Sequence, residues 1–220
     1  MASALIDDWF IIRGEPSTRG VNPAELAAAE RRLGLALPRA LRDWHLLLGA
    51  LSEVWNVQDR LLAPDGLRAH AGRLEVATEN QGVVTWSIAL ADIALPDPPV
   101  WVSDQQDAEV HHPAASSVTE FALQLLALNA KFSDRELLRA NGQASDAAIE
   151  VLSGSLPRLP FGDLHWPPYP TRLYGTEGLV AEVDCQTWIW LTALDPHAFD
   201  RHRHALKAAG IEWEHVEVPR

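Results

Sequence analysis

The sequence predicts an α+β protein, with helices packed on a mainly antiparallel sheet. Three observations predict it: two capped helices lie close together near the start, strand patterns come in groups rather than alternating with helices, and the later strand runs are joined by hairpin-type turns. The regular alternation that marks a doubly wound parallel sheet is missing. With 220 residues the chain is long enough for one large domain or two small ones.

In chain order, Asn22-Pro23-Ala24-Glu25 predicts the first helix start: Asn22 suits the N-cap, Pro23 the first helical position and Glu25 the reciprocal place of a capping box. Leu26, Ala29 and Leu33 recur at helical spacing and Gly34 ends the run. Pro38 starts a second helix, with a stripe of Leu41, Trp44 and Leu48 and a stop at Gly49. Val54-Trp55-Asn56-Val57 then reads as a short strand and Pro64-Asp65-Gly66 as a turn. Leu74 to Glu79 and Val83 to Ile88 read as two strands joined at Asn80-Gln81-Gly82. Another short strand is expected at Val100-Trp101-Val102, where the preceding Pro98 and Pro99 argue against a central position.

Ser117-Val118-Thr119-Glu120 is a capping box opening a helix to about Asn129, with Val118, Phe121, Leu125 and Leu128 as its stripe. Ser133-Asp134-Arg135-Glu136 has the same form and predicts a shorter helix, and Ser145 to Leu152 a third. Five prolines from Pro157 to Pro170, with Phe161, Trp166 and Tyr169 among them, predict a stiff irregular crossing that packs on something. Thr171 to Tyr174, Leu179 to Asp184 and Thr187 to Thr192 read as antiparallel strands, turning at Gly175 to Gly178 and around Cys185-Gln186. Asp195-Pro196 caps a helix to about Ala209, and Ile211 to Val218 is the last expected strand.

Composition excludes several classes. No apolar run reaches the roughly 18 residues that a membrane-spanning helix needs. Met1 to Asp8 holds two carboxylates and no Lys or Arg, unlike a secretion signal, which predicts a cytosolic chain. Trp9, Phe10, Ile11 and Ile12 suggest that this start is docked rather than free. Cys185 is the only cysteine, so neither an intrachain disulfide nor a multi-thiolate zinc site can close, and a cytoplasmic, reducing setting fits.

The net charge of −12 argues against direct nucleic-acid binding, which needs a basic face. Between Arg73 and Lys131 no Lys or Arg occurs, whereas Glu75, Glu79, Asp92, Asp97, Asp104, Asp107, Glu109 and Glu120 all do. One account of this run is a solvated surface balanced in space by arginines from elsewhere; the other is a negative field that steers a basic partner.

Catalytic and metal signals are missing from the sequence. The nine histidines include His111-His112, which a strand would send to opposite faces, and His202 and His204, about 200° apart around a helix. His197 and His204 share a helical face but stand two turns apart. Without a His-Glu-x-x-His motif no metal site is assigned, and no cofactor. There is no Gly-x-Ser-x-Gly elbow and no phosphate-cradling Gly-x-x-x-x-Gly-Lys loop, and Cys185 has no local activating signal. No catalytic residue is therefore assigned. The nine tryptophans are read mainly as core, including Trp44 on its helix stripe and Trp188 and Trp190 on one strand face. Trp86 and Trp101 fall inside the acidic run, where core packing competes with a role as protein-binding anchors.

Pro23-Ala24-Glu25-Leu26 through Glu30-Arg31-Arg32-Leu33-Gly34, then Leu37-Pro38 and the helix to Leu48-Gly49, resembles the opening signature of the SUKH superfamily, which groups a yeast cell-wall-synthesis regulator with many bacterial immunity proteins. Glu79-Asn80-Gln81-Gly82-Val83 with Trp86, then Asp97-Pro98-Pro99-Val100-Trp101, resembles its central strand pair and following loop, and Ser117 to Leu126 its closing helix. The likeness covers Val21 to Lys131. It implies an α+β fold without catalysis, and for the bacterial members a role in binding and neutralising a toxin, commonly a nuclease or deaminase. It also implies that Glu79, Asn80, Gln81, Trp86, Asp97 and Trp101 mark the fold's signature. Four segments are expected: an N-terminal segment over 1–20, a SUKH-like domain over 21–132, a helical and proline-rich connector over 133–170, and an α+β extension over 171–220 that either stands alone or completes the first domain.

The functional expectation is a cytosolic immunity-type protein that occludes a basic toxin domain, without membrane or direct nucleic-acid contact. Its expected partner-binding residues are Glu79, Asn80, Gln81, Trp86, Asp97, Trp101, Asp104, Asp107 and Glu109. The alternatives are a regulatory interaction module with an endogenous partner, and a hydrolase using a His with an Asp or Glu in the C-terminal part.

Overall fold

The computed structural model describes residues 19–104, 109–133, 136–166 and 169–218. The expectation for Trp9 to Ile12 lies outside the described residues. The chain divides between Ser133 and Asp134 into two compact units. Each is α+β, built on an antiparallel sheet.

The first unit begins with α1 (Pro23–Leu33) and α2 (Arg39–Leu48). The expected capping box forms: Asn22 Oδ1 accepts from the Ala24 N–H at 2.9 Å, and the Asn22 N–H donates to Glu25 Oε1 at 3.2 Å. Gly34 ends α1 at φ 70°, a left-handed geometry that a side chain would strain. Two charged side chains of α1 then tie down later parts of the unit. Glu30 Oε1 accepts from the Leu37 N–H at 2.9 Å and pairs with Arg42 Nη1 at 2.6 Å, while Arg32 donates to the Leu67 and Pro64 carbonyls at 2.9 Å each. Burial works to raise the Glu30 carboxyl, and the Arg42 and Leu37 donors outweigh it, leaving the group below its ordinary range.

The strand expected at Val54 to Val57 is instead a single helical turn, α3 (Ser52–Trp55). Strand alternation would send either Val54 or Trp55 to solvent, whereas the turn buries both. Trp55 meets Trp44 edge-on at 5.5 Å, and its indole N–H donates to the Leu48 carbonyl at 2.7 Å.

Six strands come next: β1 (Arg60–Leu61), β2 (Arg68–His70), β3 (Arg73–Thr78), β4 (Val84–Ala89), β5 (Val100–Asp104) and β6 (His112–Ala115). Their order is β1-β3-β4-β5-β6, with β2 also on the free side of β3. β5 therefore lies between two partners despite the prolines before it. Pro98 and Pro99 precede Val100, the first residue in the ladder, so they remove no ladder hydrogen bond.

Helix α4 (Val118–Ala130) starts from Ser117, whose hydroxyl accepts from the Glu120 N–H at 3.0 Å. The return half of the box is displaced by one residue, since Glu120 Oε2 accepts from the Ser116 N–H at 2.7 Å. Ten of the thirteen residues of α4 are buried, as expected of a helix apolar on nearly every side. It packs against α2, α3 and β6, and Phe121 meets Trp86 of β4 at 5.7 Å.

His45, on α2, is 1% exposed, and burial lowers its pKa from 6.5 to about 4. The unfolded chain takes up a proton below pH 6.5 and the folded chain only near pH 4. Stability is therefore intact above the higher value and falls as pH drops between the two. At pH 5 the loss is about 2 kcal/mol relative to pH 7. Urea unfolding of the parent and of His45→Leu at both pH values checks this: the parent's extra acid sensitivity should vanish in the variant.

In the second unit, β7 (Leu138–Gln143), β8 (Leu164–Trp166), β9 (Tyr169–Thr176), β10 (Leu179–Asp184), β11 (Trp188–Ala193) and β12 (Glu212–Glu217) take the order β12-β7-β11-β10-β9-β8. Helices α5 (Asp146–Ser155), capped by Ser145, and α6 (Pro196–Ala208), capped by Asp195, contribute Ile149, Leu152, Phe199 and Leu206 to the core with Ile189 and Leu191. The C-terminal hairpins, α6 and β12 form where the sequence predicts them. Trp188 and Trp190 are half-buried on the sheet face opposite Ile189 and Leu191.

Two expectations here are corrected. The helix expected from Ser133 does not form: Asp134 and Arg135 lie outside the described residues, Glu136 is irregular, and Leu138 to Gln143 is strand. Leu138 and Ala140 alternate inward there, and pairing on both sides with β11 and β12 overrides the local box. Gly142 permits that pairing, since a Cβ at this position would overlap the Glu212 carbonyl. Residues 133–170 are accordingly not a connector, because β7, α5 and β8 are integral parts of the second unit.

Among the described residues no helix is long and apolar enough to cross a membrane.

Candidate functional site

Strand direction decides which sequence candidates meet. β4 runs antiparallel to both β3 and β5, and β5 to β6, so the β3–β4 turn and the β5–β6 connection leave the sheet at the same end. Glu79, Asn80 and Gln81 lie in the first of these, Glu109 lies in the second, and Asp104 pairs with Val84 at the end of the ladder. Asp107 lies outside the described residues. Asp97 belongs to the connection at the opposite end, between β4 and β5.

Within the gathered end the roles differ. Glu79 is buried, and its Oε2 accepts from the N–H groups of Gln81 at 2.8 Å and Val83 at 3.3 Å. Its carboxylate thus shapes the turn, with Gly82 at φ 75° completing it. Asn80, Gln81 and Glu109 are exposed. Val83 and Val110 are exposed beside them, at 46% and 44%. Neither valine stands out in sequence, where Val83 reads as the first residue of a strand and Val110 carries no pattern.

Asp97 is a structural cap: its Oδ1 accepts from the Thr119 N–H at 3.0 Å in the first turn of α4. Trp86 is 0% exposed and offers a partner no surface. Trp101 is half-buried, with the Arg73 guanidinium 5.2 Å from its ring centroid. Burial lowers the Arg73 pKa, and Asp92 opposes this only in part.

Among the described residues, Glu75, Glu79, Asp97, Glu109 and Glu120 have no Lys, Arg or His within ion-pair distance, and the partners of Glu79, Asp97 and Glu120 are backbone N–H or hydroxyl groups. Arg42 and Arg139 pair with acids outside the run, Glu30 and Glu217.

The histidines do not converge. Among the described residues no group of three or more His, Cys, Asp or Glu side chains is placed to hold a metal ion. Burial lowers the pKa of His111, helped by Arg73 and His112, and that of His202, helped by Arg201. Cys185 is an exposed free thiol, pushed up by burial and by Asp184 and Glu182, which disfavours the thiolate a nucleophile needs.

Fold and site together define an antiparallel α+β chain with an acidic sheet end that carries two exposed valines. No protein-family model, curated protein or solved structure matches it.

Proposed function

We propose that this chain is a cytoplasmic, SUKH-like binding protein of the immunity type, which covers a basic domain of a toxin without transforming it. The observation that carries the reading is the exposed Glu109 carboxylate at the β3–β4 and β5–β6 end of the first sheet, with no Lys, Arg or His within ion-pair distance among the described residues. An exposed carboxylate with no cation nearby, such as that of Glu109, attracts a cationic cleft at long range. Val83 and Val110 then supply apolar contact, and the Asn80 and Gln81 amides supply hydrogen bonds, at the place where the field leads. A nuclease cleft is positive because it holds phosphates, so it fits such a surface.

The test is association kinetics with the product of the gene beside this one. Glu109→Lys and Asp104→Lys should each lower the association rate by about three- to tenfold at low salt, with less than about a twofold change in dissociation. Rising salt should slow the parent toward the rates of the variants. Kinetics indifferent to both substitutions and to salt would remove the electrostatic reading.

A further inference from the structure

A cavity of about 480 Å³ lies in the first unit between the end of α2, α3 and the β1–β2 side of the sheet. That is a size typical of small-molecule sites. Its charge runs against the rest of the molecule: among the described residues Arg60 and Arg68 line it and no Asp or Glu does, in a chain of net charge −12. Neither arginine has an ion-pair partner among the described residues. Arg60 makes one long hydrogen bond, 3.4 Å to the Asn80 carbonyl, and Arg68 stands opposite Glu75 in the β2–β3 ladder without pairing with it.

The wall of the cavity also holds a buried polar group without a partner. His45 is 1% exposed, and neither Nδ1 nor Nε2 has a hydrogen bond. Both nitrogens are themselves shut off from solvent, so the ring borders the cavity without presenting a donor to it. Ser52, Asn56 and Thr78 add neutral hydrogen-bonding groups to the lining, and Trp55 and Leu61 an apolar wall.

We propose that this cavity binds a small organic anion, whose carboxylate or phosphate is held by Arg60 and Arg68, with Ser52, Asn56 and Thr78 as further hydrogen-bonding groups and Trp55 against the apolar part. Guanidinium groups recognise both kinds of oxyanion through paired N–H donors. The site adjoins the acidic sheet end through the Arg60–Asn80 contact but does not depend on the function proposed there.

Inorganic phosphate and citrate serve as probes, each titrated to about 10 mM against sodium chloride of equal ionic strength, with the imidazole resonances of His45 and the melting temperature as readouts. His45→Gln identifies the resonances. A saturable shift with phosphate alone points to a phosphate ester, one with citrate alone to a carboxylic acid, and one with both to an oxyanion site without preference. Each of these supports the proposal, provided that Arg60→Ala/Arg68→Ala weakens the response by at least about tenfold and Arg39→Ala, an exposed arginine on α2, leaves it unchanged. Both substituted arginines are exposed, so the double variant should fold. No saturable shift with either probe, or an equal response in the double variant, overturns the proposal.

Discussion

Trp86→Ala lowers the stability of the first unit by about 4 kcal/mol, while Trp86→Phe retains most of it. The indole is 0% exposed, its six-strand sheet packs on α4 through it, and the Phe121 ring stands 5.7 Å away. Alanine leaves a space that the strands on either side, held in register with β3 and β5, are poorly able to close. Urea midpoints of the three proteins measure the effect. The same variants separate two roles for a residue that the sequence presents as a binding candidate. If Trp86 acts only through the core, the folded fraction of Trp86→Ala dissociates from a partner at the parent's rate. A faster dissociation from fully folded protein would place the indole in the interface.

Asn129→Leu costs a similar amount, about 4 kcal/mol, although it conserves volume and adds apolar surface. The carboxamide of Asn129 is 0% exposed and satisfies three backbone groups: its Nδ2 donates to the carbonyls of Val54 and Asp59 at 3.0 Å each, and its Oδ1 accepts from the Asp59 N–H at 3.2 Å. Leucine removes all three buried hydrogen bonds, and each such loss costs about 1–3 kcal/mol. The segment from α3 to β1 has little repeating structure of its own, so one side chain from α4 does there what a ladder does in a sheet. Equilibrium unfolding measures the total, and hydrogen exchange at the Asp59 amide localises it. Exchange at the parent's rate in the variant would show that the loop is held by other contacts.

Residues whose structure is set by near neighbours are legible in this sequence. Asn22, Ser117, Ser145 and Asp195 cap the helices after them, each accepting from an N–H two or three residues on. The β10–β11 turn forms at Cys185 and Gln186, both at positive φ, where the strand runs on either side predict it. Even Ser117 shows the limit of such reading, because Glu120 reaches back one residue further than the pattern implies. The failures at Val54 and Leu138 share one cause: short segments of ambiguous pattern take the structure that buries their side chains or completes a neighbour's ladder.

The candidate site divides in the same way. Its residue types are plain in the sequence, since a stretch free of Lys and Arg can be counted. Whether distant arginines cancel it cannot be counted, because ion pairing depends on approach within a few ångströms. Nor does spacing distinguish Glu79, turned inward onto its own hairpin, from Glu109, which faces solvent. Arg60, Arg68 and His45 share no motif and are joined only by the packing of α2 and α3 beside the sheet edge.

By itself, then, the sequence determined the α+β class, most helix starts, the hairpins and the excess of negative charge, all of which arise from contacts a few residues long or from composition. The tertiary structure alone decided that β7, α5 and β8 belong to the second unit, the interior place of β5, the strand at Leu138 to Gln143, and which acids, arginines and rings meet. Those depend on pairings between residues far apart in the chain, whose free energy appears only once the sheets have closed.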